Sequence, residues 1–413
     1  MRLKHVAAVS LAAIVATILI PASGPSRAVA QAPEDGDLLS EESGSLTLFM
    51  GAGGGTFHEI NTVTVGDYPY AVAVADVNGD GRPELAVANS DADTVSLVFG
   101  LGLAACQPVQ NLTVGTGPTA LAAADFDGDG RPDLAVANSG DNAVVVLRGA
   151  GDGSFERTAQ VAVGPHPTAL IATDVNHDGV PDLVAADTGG ASLSLLLGTG
   201  QGRFHPAVSL PVGRNPDALL ATDVNGDGNV DLVASDFRDD TLSLLLGDGE
   251  GGFRNAGPLP VGRQPDAVVS ADLNRDGIPD LAATNFEDNT VTVLYGTVRG
   301  TFLPGPQLGT GDGPDGLVAA DLDGDGTVDL ATANYDDNSV TLLPGRGDGT
   351  FGPPQPIYTW THPTSLSAPD VNGDGILDLV VTSSGMDRRP SPVASHAAAT
   401  SLVVLEGLAC AIP

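Results

Sequence analysis

One pattern, Asp-x-Asn/Asp-x-Asp-Gly-x-x-Asp/Glu-Leu, begins at Asp76, Asp125, Asp174, Asp223, Asp272, Asp321 and Asp370, and every interval is 49 residues. Six equal spacings between seven copies do not arise by chance, so the fold must be built from one unit copied seven times. Other features keep the same phase. A Pro stands seven residues before each copy (Pro69, Pro118, Pro167, Pro216, Pro265, Pro314, Pro363). An Asn or Asp stands thirteen residues after the start in six copies, with Ser383 in that place in the last.

Within a unit the periodicity is that of strands. Residues 119–125 (TALAAAD) form a short run of small apolar side chains, the acidic loop follows, and 134–138 (LAVAN) is a second strand. A turn at 139–142 leads to a third strand at 144–147, and the string Gly149-x-Gly151-x-Gly153-x-Phe155 turns into a fourth that ends near Val163. Four short strands per unit of this length suit a propeller blade. The expected fold is therefore all-β: a seven-bladed β-propeller of four-stranded antiparallel blades. With 54 Gly, 30 Pro and only 4% aromatic residues, turns are frequent and the core must be built from Ala, Val and Leu.

The ends predict how the ring closes. Residues 45–57 (SLTLFMGAGGGTF) match 192–204 (SLSLLLGTGQGRF), so the chain enters with the third and fourth strands of a blade whose first two lie in the last repeat. Closure by mixing N- and C-terminal strands removes exposed sheet edges. Residues 401–405 (SLVVL) also read as a third strand, and the sequence leaves open which candidate is displaced. The propeller thus spans 45–413, with a Pro/Ser/Ala-rich insertion at about 386–400.

Residues 1–30 read as a signal peptide: Arg2 and Lys4, an apolar run from Val6 to Ile20, and Ala28-Val29-Ala30 as the cleavage signal before Gln31. Residues 31–44 read as an acidic linker. The expected location is secreted, extracellular or periplasmic, with an uncleaved anchor as the other reading. The chain carries 17 Lys+Arg against 52 Asp+Glu, a formal charge of −35, which argues against a nucleic-acid surface or attraction to anionic membrane. At 42% hydrophobic residues it is not a disordered acidic chain, so the acid sits on a folded scaffold.

Much of that acid is in the repeated loop, which holds 23 of the 52 acidic residues. The candidate ligand sets, at positions 1, 3, 5, 7 and 9, begin with Asp76, Asn78, Asp80, Arg82 and Glu84, then Asp125, Asp127, Asp129, Arg131 and Asp133. The third and fourth are Asp174, Asn176, Asp178, Val180, Asp182 and Asp223, Asn225, Asp227, Asn229, Asp231. The fifth and sixth are Asp272, Asn274, Asp276, Ile278, Asp280 and Asp321, Asp323, Asp325, Thr327, Asp329; the seventh is Asp370, Asn372, Asp374, Ile376, Asp378. Hard cations take six to eight oxygen ligands, and side chains at positions 1, 3 and 5 of a tight loop converge on one point. Position 7 offers its backbone carbonyl, so its side chain is free to vary. Asp, Asn and Gly also make good turns. No turn, however, requires three or four carboxylates within about 5 Å of one another, a repulsion of roughly 1–3 kcal/mol per pair. The set is all oxygen in an irregular loop, which favours calcium, up to seven ions, over magnesium, and zinc would want His or Cys.

These loops and their phase resemble the FG-GAP or VCBS repeat family, the calcium-loop propellers of integrin alpha subunits and many secreted bacterial proteins. The resemblance covers Ser45 to about Leu405. It implies calcium bound by the side chains of positions 1, 3, 5 and 9 and the carbonyl of position 7. Glu84 departs from Asp at position 9, and His177 and Arg275 replace a small residue at position 4, which should weaken the third and fifth sites.

The opposite face of the ring, which commonly meets ligand in such propellers, is uneven. Blades four to six carry Phe237, Phe286 and Tyr335 where others have Ser or Thr, together with Asp217, Asp266 and Asp315 just after the phased Pro; Arg214 and Arg263 precede it in two of them. Aromatic, carboxylate and guanidinium groups could hold a sugar or peptide, or could merely pack locally. A second cluster, Tyr68, Tyr70, Trp360 and His362, falls at the seam. Cys106 and Cys410 fall in adjoining blades and could form a disulfide. No nucleophile motif or phosphate loop appears. The expected function is a monomeric, secreted, calcium-binding recognition or adhesion module for an extracellular glycan or protein. A carbohydrate-active enzyme of lyase or hydrolase type and a purely structural envelope protein are the alternatives.

Overall fold

The computed structural model describes residues 45–51, 53–99, 109–359, 362–370 and 375–383. The chain is an all-β propeller of four-stranded antiparallel blades, and its strands sort into seven sheets. The second blade is typical: Pro118–Ala124, Asp133–Asn138, Ala143–Gly149 and Phe155–Ala162 pair in that order. The first three strands are buried along nearly their whole length, whereas the fourth alternates between exposed and half-buried positions. A strand covered on both faces must be apolar throughout, and an edge strand needs one apolar face only. This is why the repeat grows more polar towards its end.

One sheet mixes the two ends of the described chain. Ser45–Gly51 pairs with Leu379–Ser383, and the sheet order runs Phe57–Thr64, Ser45–Gly51, Leu379–Ser383, Pro363–Ser367. The third-strand place in this sheet is therefore filled by residues 45–51, and the competing candidate at 401–405 lies outside the described residues. The mixed sheet touches neighbours on both sides. Gly54 N–H donates to the Asp323 carbonyl at 2.9 Å, and the Thr364 hydroxyl donates to the Pro69 carbonyl at 3.1 Å.

Blades pack through small aliphatic faces. Ala120, Ala122, Ala135 and Val144 of the second blade, Leu170, Leu183 and Leu193 of the third and Leu219 and Leu232 of the fourth form one continuous buried cluster. Phe126, fully buried, meets Phe204 of the next blade edge-on at 5.6 Å between ring centroids. The phased Asn/Asp ties turn to sheet: Asn285 accepts the Gly262 N–H at 2.9 Å and donates to Thr292 at 2.9 Å. Among the described residues there is no helix long and apolar enough to cross a membrane.

Candidate functional site

The acidic loops are folded by their own carboxylates. In the second loop Asp125 Oδ1 accepts the N–H of Gly128 at 2.7 Å and of Asp129 at 3.1 Å, while Oδ2 accepts that of Gly130 at 2.7 Å. Asp127 accepts from Asp129, and Asp129 from Arg131. The scheme recurs at Asp76, Asp174, Asp223, Asp272 and Asp321, each of which accepts the N–H of the position-6 Gly. Position 7 is fixed by its N–H to position 5 at Arg82, Val180, Asn229, Ile278 and Thr327, leaving its carbonyl free of that bond. In the seventh loop Asp370 accepts from Gly375, whereas Asn372 and Asp374 lie outside the described residues.

Position 4 must adopt the left-handed region. Gly79, Gly128, Gly226 and Gly324 do so at φ 73–79°, but His177 and Arg275 are forced to 57° and 60°. A side chain there costs roughly 1–2 kcal/mol, which gives the departures at these two loops a physical meaning. Both side chains then reach the next loop: the Arg275 guanidinium donates to the Gly326 carbonyl, and His177 Nε2 lies 3.4 Å from Asn229 Oδ1.

Position 9 does more than the spacing predicted. Asp133, 1% exposed, accepts the Phe126 N–H at 3.0 Å and the Gly149 N–H at 2.8 Å. Asp182, Asp231, Asp280 and Asp329 repeat both bonds with their own loops and with Gly198, Gly247, Gly296 and Gly345, and Asp378 takes the N–H of Gly51. The residue is a clamp between loop and third strand as well as a candidate ligand. Glu84 is longer and turns back to Asn78 Nδ2 at 2.8 Å. Burial pushes Asp133 up to about 6 and Glu84 up to about 7, against the pull of the backbone N–H groups.

Among the described residues two loops gather acids closely enough to hold one ion: Asp125, Asp127 and Asp133, and Asp321, Asp323 and Asp325, have carboxylate oxygens within 4.8 Å of one another. An all-oxygen set of this kind suits a hard cation. The loops also carry neighbouring blades. Gly153, Gly202 and Gly349, in the turns between third and fourth strands, donate to the carbonyls of Val77, Phe126 and Leu273 in the preceding blade's loop.

At the other end of the strands the residue before each phased Pro is left-handed: Tyr68, Gly117, His166, Asn215, Gln264, Gly313 and His362. Its carbonyl accepts the N–H of the residue that follows the second strand, as in Phe237 to Asn215, Phe286 to Gln264 and Tyr335 to Gly313. The residue after each Pro forms a buried ring of Tyr70, Thr119, Thr168, Asp217, Asp266, Asp315 and Thr364. Asp217 and Asp315 each lie within hydrogen-bonding reach of Asp266, and the hydroxyls of Thr168 and Thr188 reach Asp217. Burial raises Asp217 and Asp315, and neighbouring acid raises Asp315 further. Tyr70 is raised by its own burial and then by Asp217, Asp315 and Asp266.

The sequence placed Asp217, Asp266 and Asp315 on one surface with the arginines; the structure separates them. The three acids are 3% exposed or less, whereas Arg214 pairs with Asp239 at 2.6 Å and Arg263 with Asp288 at 2.6 Å. Asp239 and Asp288, which sequence reasoning passed over, are set by their place two residues beyond Phe237 and Phe286. Phe237, Phe286 and Tyr335 are half-buried. Two expected clusters meet instead: Tyr335 packs on His362 with ring centroids 4.6 Å apart and planes tilted by 38°, Tyr68 lies within hydrogen-bonding reach of Tyr335, and the rings of Tyr68 and Tyr70 are 6.3 Å apart. Trp360, Cys106 and Cys410 fall outside the described residues, as do 1–44 and the insertion at about 386–400.

A family profile described as FG-GAP-like repeat matches residues 34–87, 76–136, 125–185, 174–234, 223–283, 272–332 and 321–381. No curated protein sequence matches the chain. Among solved structures it is similar to a lectin from Agrocybe aegerita that recognises non-reducing terminal N-acetylglucosamine, at 16% identity and TM-score 0.52, covering 84% of this chain and 96% of that one. It is also similar to the periplasmic gluconolactonase PpgL of Pseudomonas aeruginosa, at 17% identity and TM-score 0.57, covering 78% and 98%. The complex of BBS1N with ARL6DN gives 14% identity and TM-score 0.57, covering 83% and 98%. These likenesses concern the fold alone.

Proposed function

Because this chain belongs to the FG-GAP-like repeat family, its repeats matching from residue 34 to 381, we propose that it is a secreted, calcium-binding recognition module for an extracellular glycan or protein. On this reading seven blades close into one ring, with residues 1–30 as signal peptide, 31–44 as linker and Cys106–Cys410 as a clasp. Calcium occupies the loops, held by the side chains at positions 1, 3, 5 and 9 and the carbonyl of position 7, and fastens each blade to the next. The ions are structural, and recognition occurs at the opposite end of the strands.

The observation that carries this reading is the meeting of Tyr68, Tyr335 and His362, from three successive blades, at the end of the strands that also buries Asp217, Asp266 and Asp315. Partly exposed aromatic planes beside polar groups are what a sugar ring or peptide uses. A glycan array probed in calcium tests it. Binding without turnover, lost on Tyr335→Ala or Phe286→Ala, supports recognition; turnover of polysaccharide supports the second reading, an enzyme. That second reading is favoured by one feature, the buried carboxyls of Asp217 and Asp315 within reach of Asp266, since a carboxyl kept protonated by burial can serve as a general acid. Silence on the array leaves a structural envelope role.

A further inference from the structure

Among the described residues, the second and sixth loops are the ones that gather three acids within 4.8 Å, and both carry four acidic residues at their ligand positions. Each has an arginine at its rim. In the second loop it is local, since Arg131 at position 7 lies 4.0 Å from Asp129. In the sixth loop position 7 is Thr327, and the arginine comes from the blade before. Arg275, at position 4 of the fifth loop, donates through its guanidinium to the Gly326 carbonyl of the sixth. A Cβ on Gly347 would meet its Nε, Cδ and Cζ at 2.9–3.0 Å, so the side chain lies along the turn between the third and fourth strands of the sixth blade. The Gly326 N–H in turn donates to Asp321 Oδ2 at 2.9 Å. One glycine therefore separates the cation from a ligand carboxylate, a path of about 9 Å at most. Among the described residues no carboxylate pairs directly with Arg275, so its charge is left to act on the loop. The residue holds a left-handed φ of 60°, a strained conformation for any side chain, at a position where five loops have Gly.

We propose that Arg275 is a built-in counter-cation for the sixth loop, supplied by the fifth, which holds the four acids together when the loop is empty and weakens calcium binding there. The proposal rests on the calcium reading above and adds to it: the sites are unequal because a fixed charge crosses from one blade to the next. The main consequence of Arg275 thus moves from its own loop to its neighbour. At such a separation a single positive charge weakens the binding of a divalent ion by about three- to ten-fold in a water-like dielectric, and salt screens the effect.

The test is a calorimetric titration of the chelator-stripped protein with calcium at low salt. Arg275→Gln removes the charge but keeps a side chain at the left-handed position, so the strain is unchanged. It should tighten one site by about three- to ten-fold, and the gain should shrink as salt is added. Arg275→Lys, which keeps the charge, should bind calcium much as the unsubstituted protein does. Asp321→Ala, which removes the sixth site, should abolish the gain, whereas Asp272→Ala, which removes the fifth, should leave it. In chelator Arg275→Gln should melt below the unsubstituted protein, because the four acids lose their counter-charge. Calcium affinities unchanged by Arg275→Gln overturn the proposal. So does a gain that is lost with Asp272→Ala and kept with Asp321→Ala, which would confine Arg275 to its own loop. If Asp321→Ala does not fold, the exposed Asp325→Ala removes the same site. An unsubstituted protein that takes up no calcium overturns the calcium reading and the proposal together; calcium uptake that Arg275→Gln leaves unchanged overturns the proposal alone.

Discussion

Gly149 donates its backbone N–H to Asp133 across 2.8 Å, and a Cβ on Gly149 would sit 2.2 Å from the Pro132 carbonyl oxygen. The carboxylate at the end of the acidic loop and the glycine at the end of the third strand are two halves of one fastening. Gly198, Gly247, Gly296 and Gly345 repeat both features, each with a carbonyl 2.0–2.4 Å from where its Cβ would lie. In the mixed sheet Gly51 fills the same role, so a strand from the start of the described chain is locked to Asp378 near its end.

Replacing one of these glycines should therefore be costly in a way ordinary glycines are not. Gly198→Ala is expected to destabilise by at least about 2 kcal/mol, since the backbone must shift to admit the methyl group. Gly309→Ala, with nothing within 4 Å of the added carbon and no left-handed φ, is the control and should be near neutral. Urea unfolding of the two variants decides it, and equal stabilities would count against the fastening.

Position 4 of the third loop offers the opposite change. His177 is held at φ 57° where five other loops have Gly, so His177→Gly should stabilise the calcium-loaded protein by about 1 kcal/mol. The contact it gives up, 3.4 Å to Asn229, is weak. A lower melting temperature for the variant would show that the histidine holds the fourth loop instead.

The buried carboxyls and calcium should give stability opposite dependences on pH. Burial raises Glu84 to about 7 and Asp133, Asp187 and Asp236 to about 6. A carboxyl whose folded value is raised stabilises the fold below its unfolded value, and that contribution is lost as pH rises through the folded value. In chelator the protein should melt higher at pH 5 than at pH 8. Calcium requires ionised loops, so its increment should grow over the same window. Melting curves at the two pH values, in chelator and in calcium, test both signs, and a calcium increment larger at pH 5 would refute the second.

The 49-residue phase made most of this fold legible, because a strand-forming run, a loop and a phased Pro recur in register and each blade repeats the same local choices. The acidic loops were equally plain, since ligand spacing is a local property. The fastening role of position 9 was not, because its second partner, Gly149 for Asp133, lies sixteen residues on and offers only a backbone N–H. The end of the strands opposite the acidic loops was least legible. Tyr68 and His362 hold one place in the repeat and Tyr335 another, and they meet only because they come from successive blades. Asp217, Asp266 and Asp315 read as surface acids beside Arg214 and Arg263, but side-chain direction just after the phased Pro turns the acids inward and leaves the arginines to Asp239 and Asp288.

Calcium should supply a large share of the stability of the fold. Each site held at about a hundred times its dissociation constant contributes roughly 2.7 kcal/mol to the folded state. Thermal unfolding of the mature protein in chelator and again after excess calcium is restored measures the sum. The melting temperature should fall sharply in chelator and return in calcium, while magnesium at the same concentration should restore it only in part. A melting curve that chelator leaves unchanged would contradict the claim that these seven loops are calcium sites that tie the blades together.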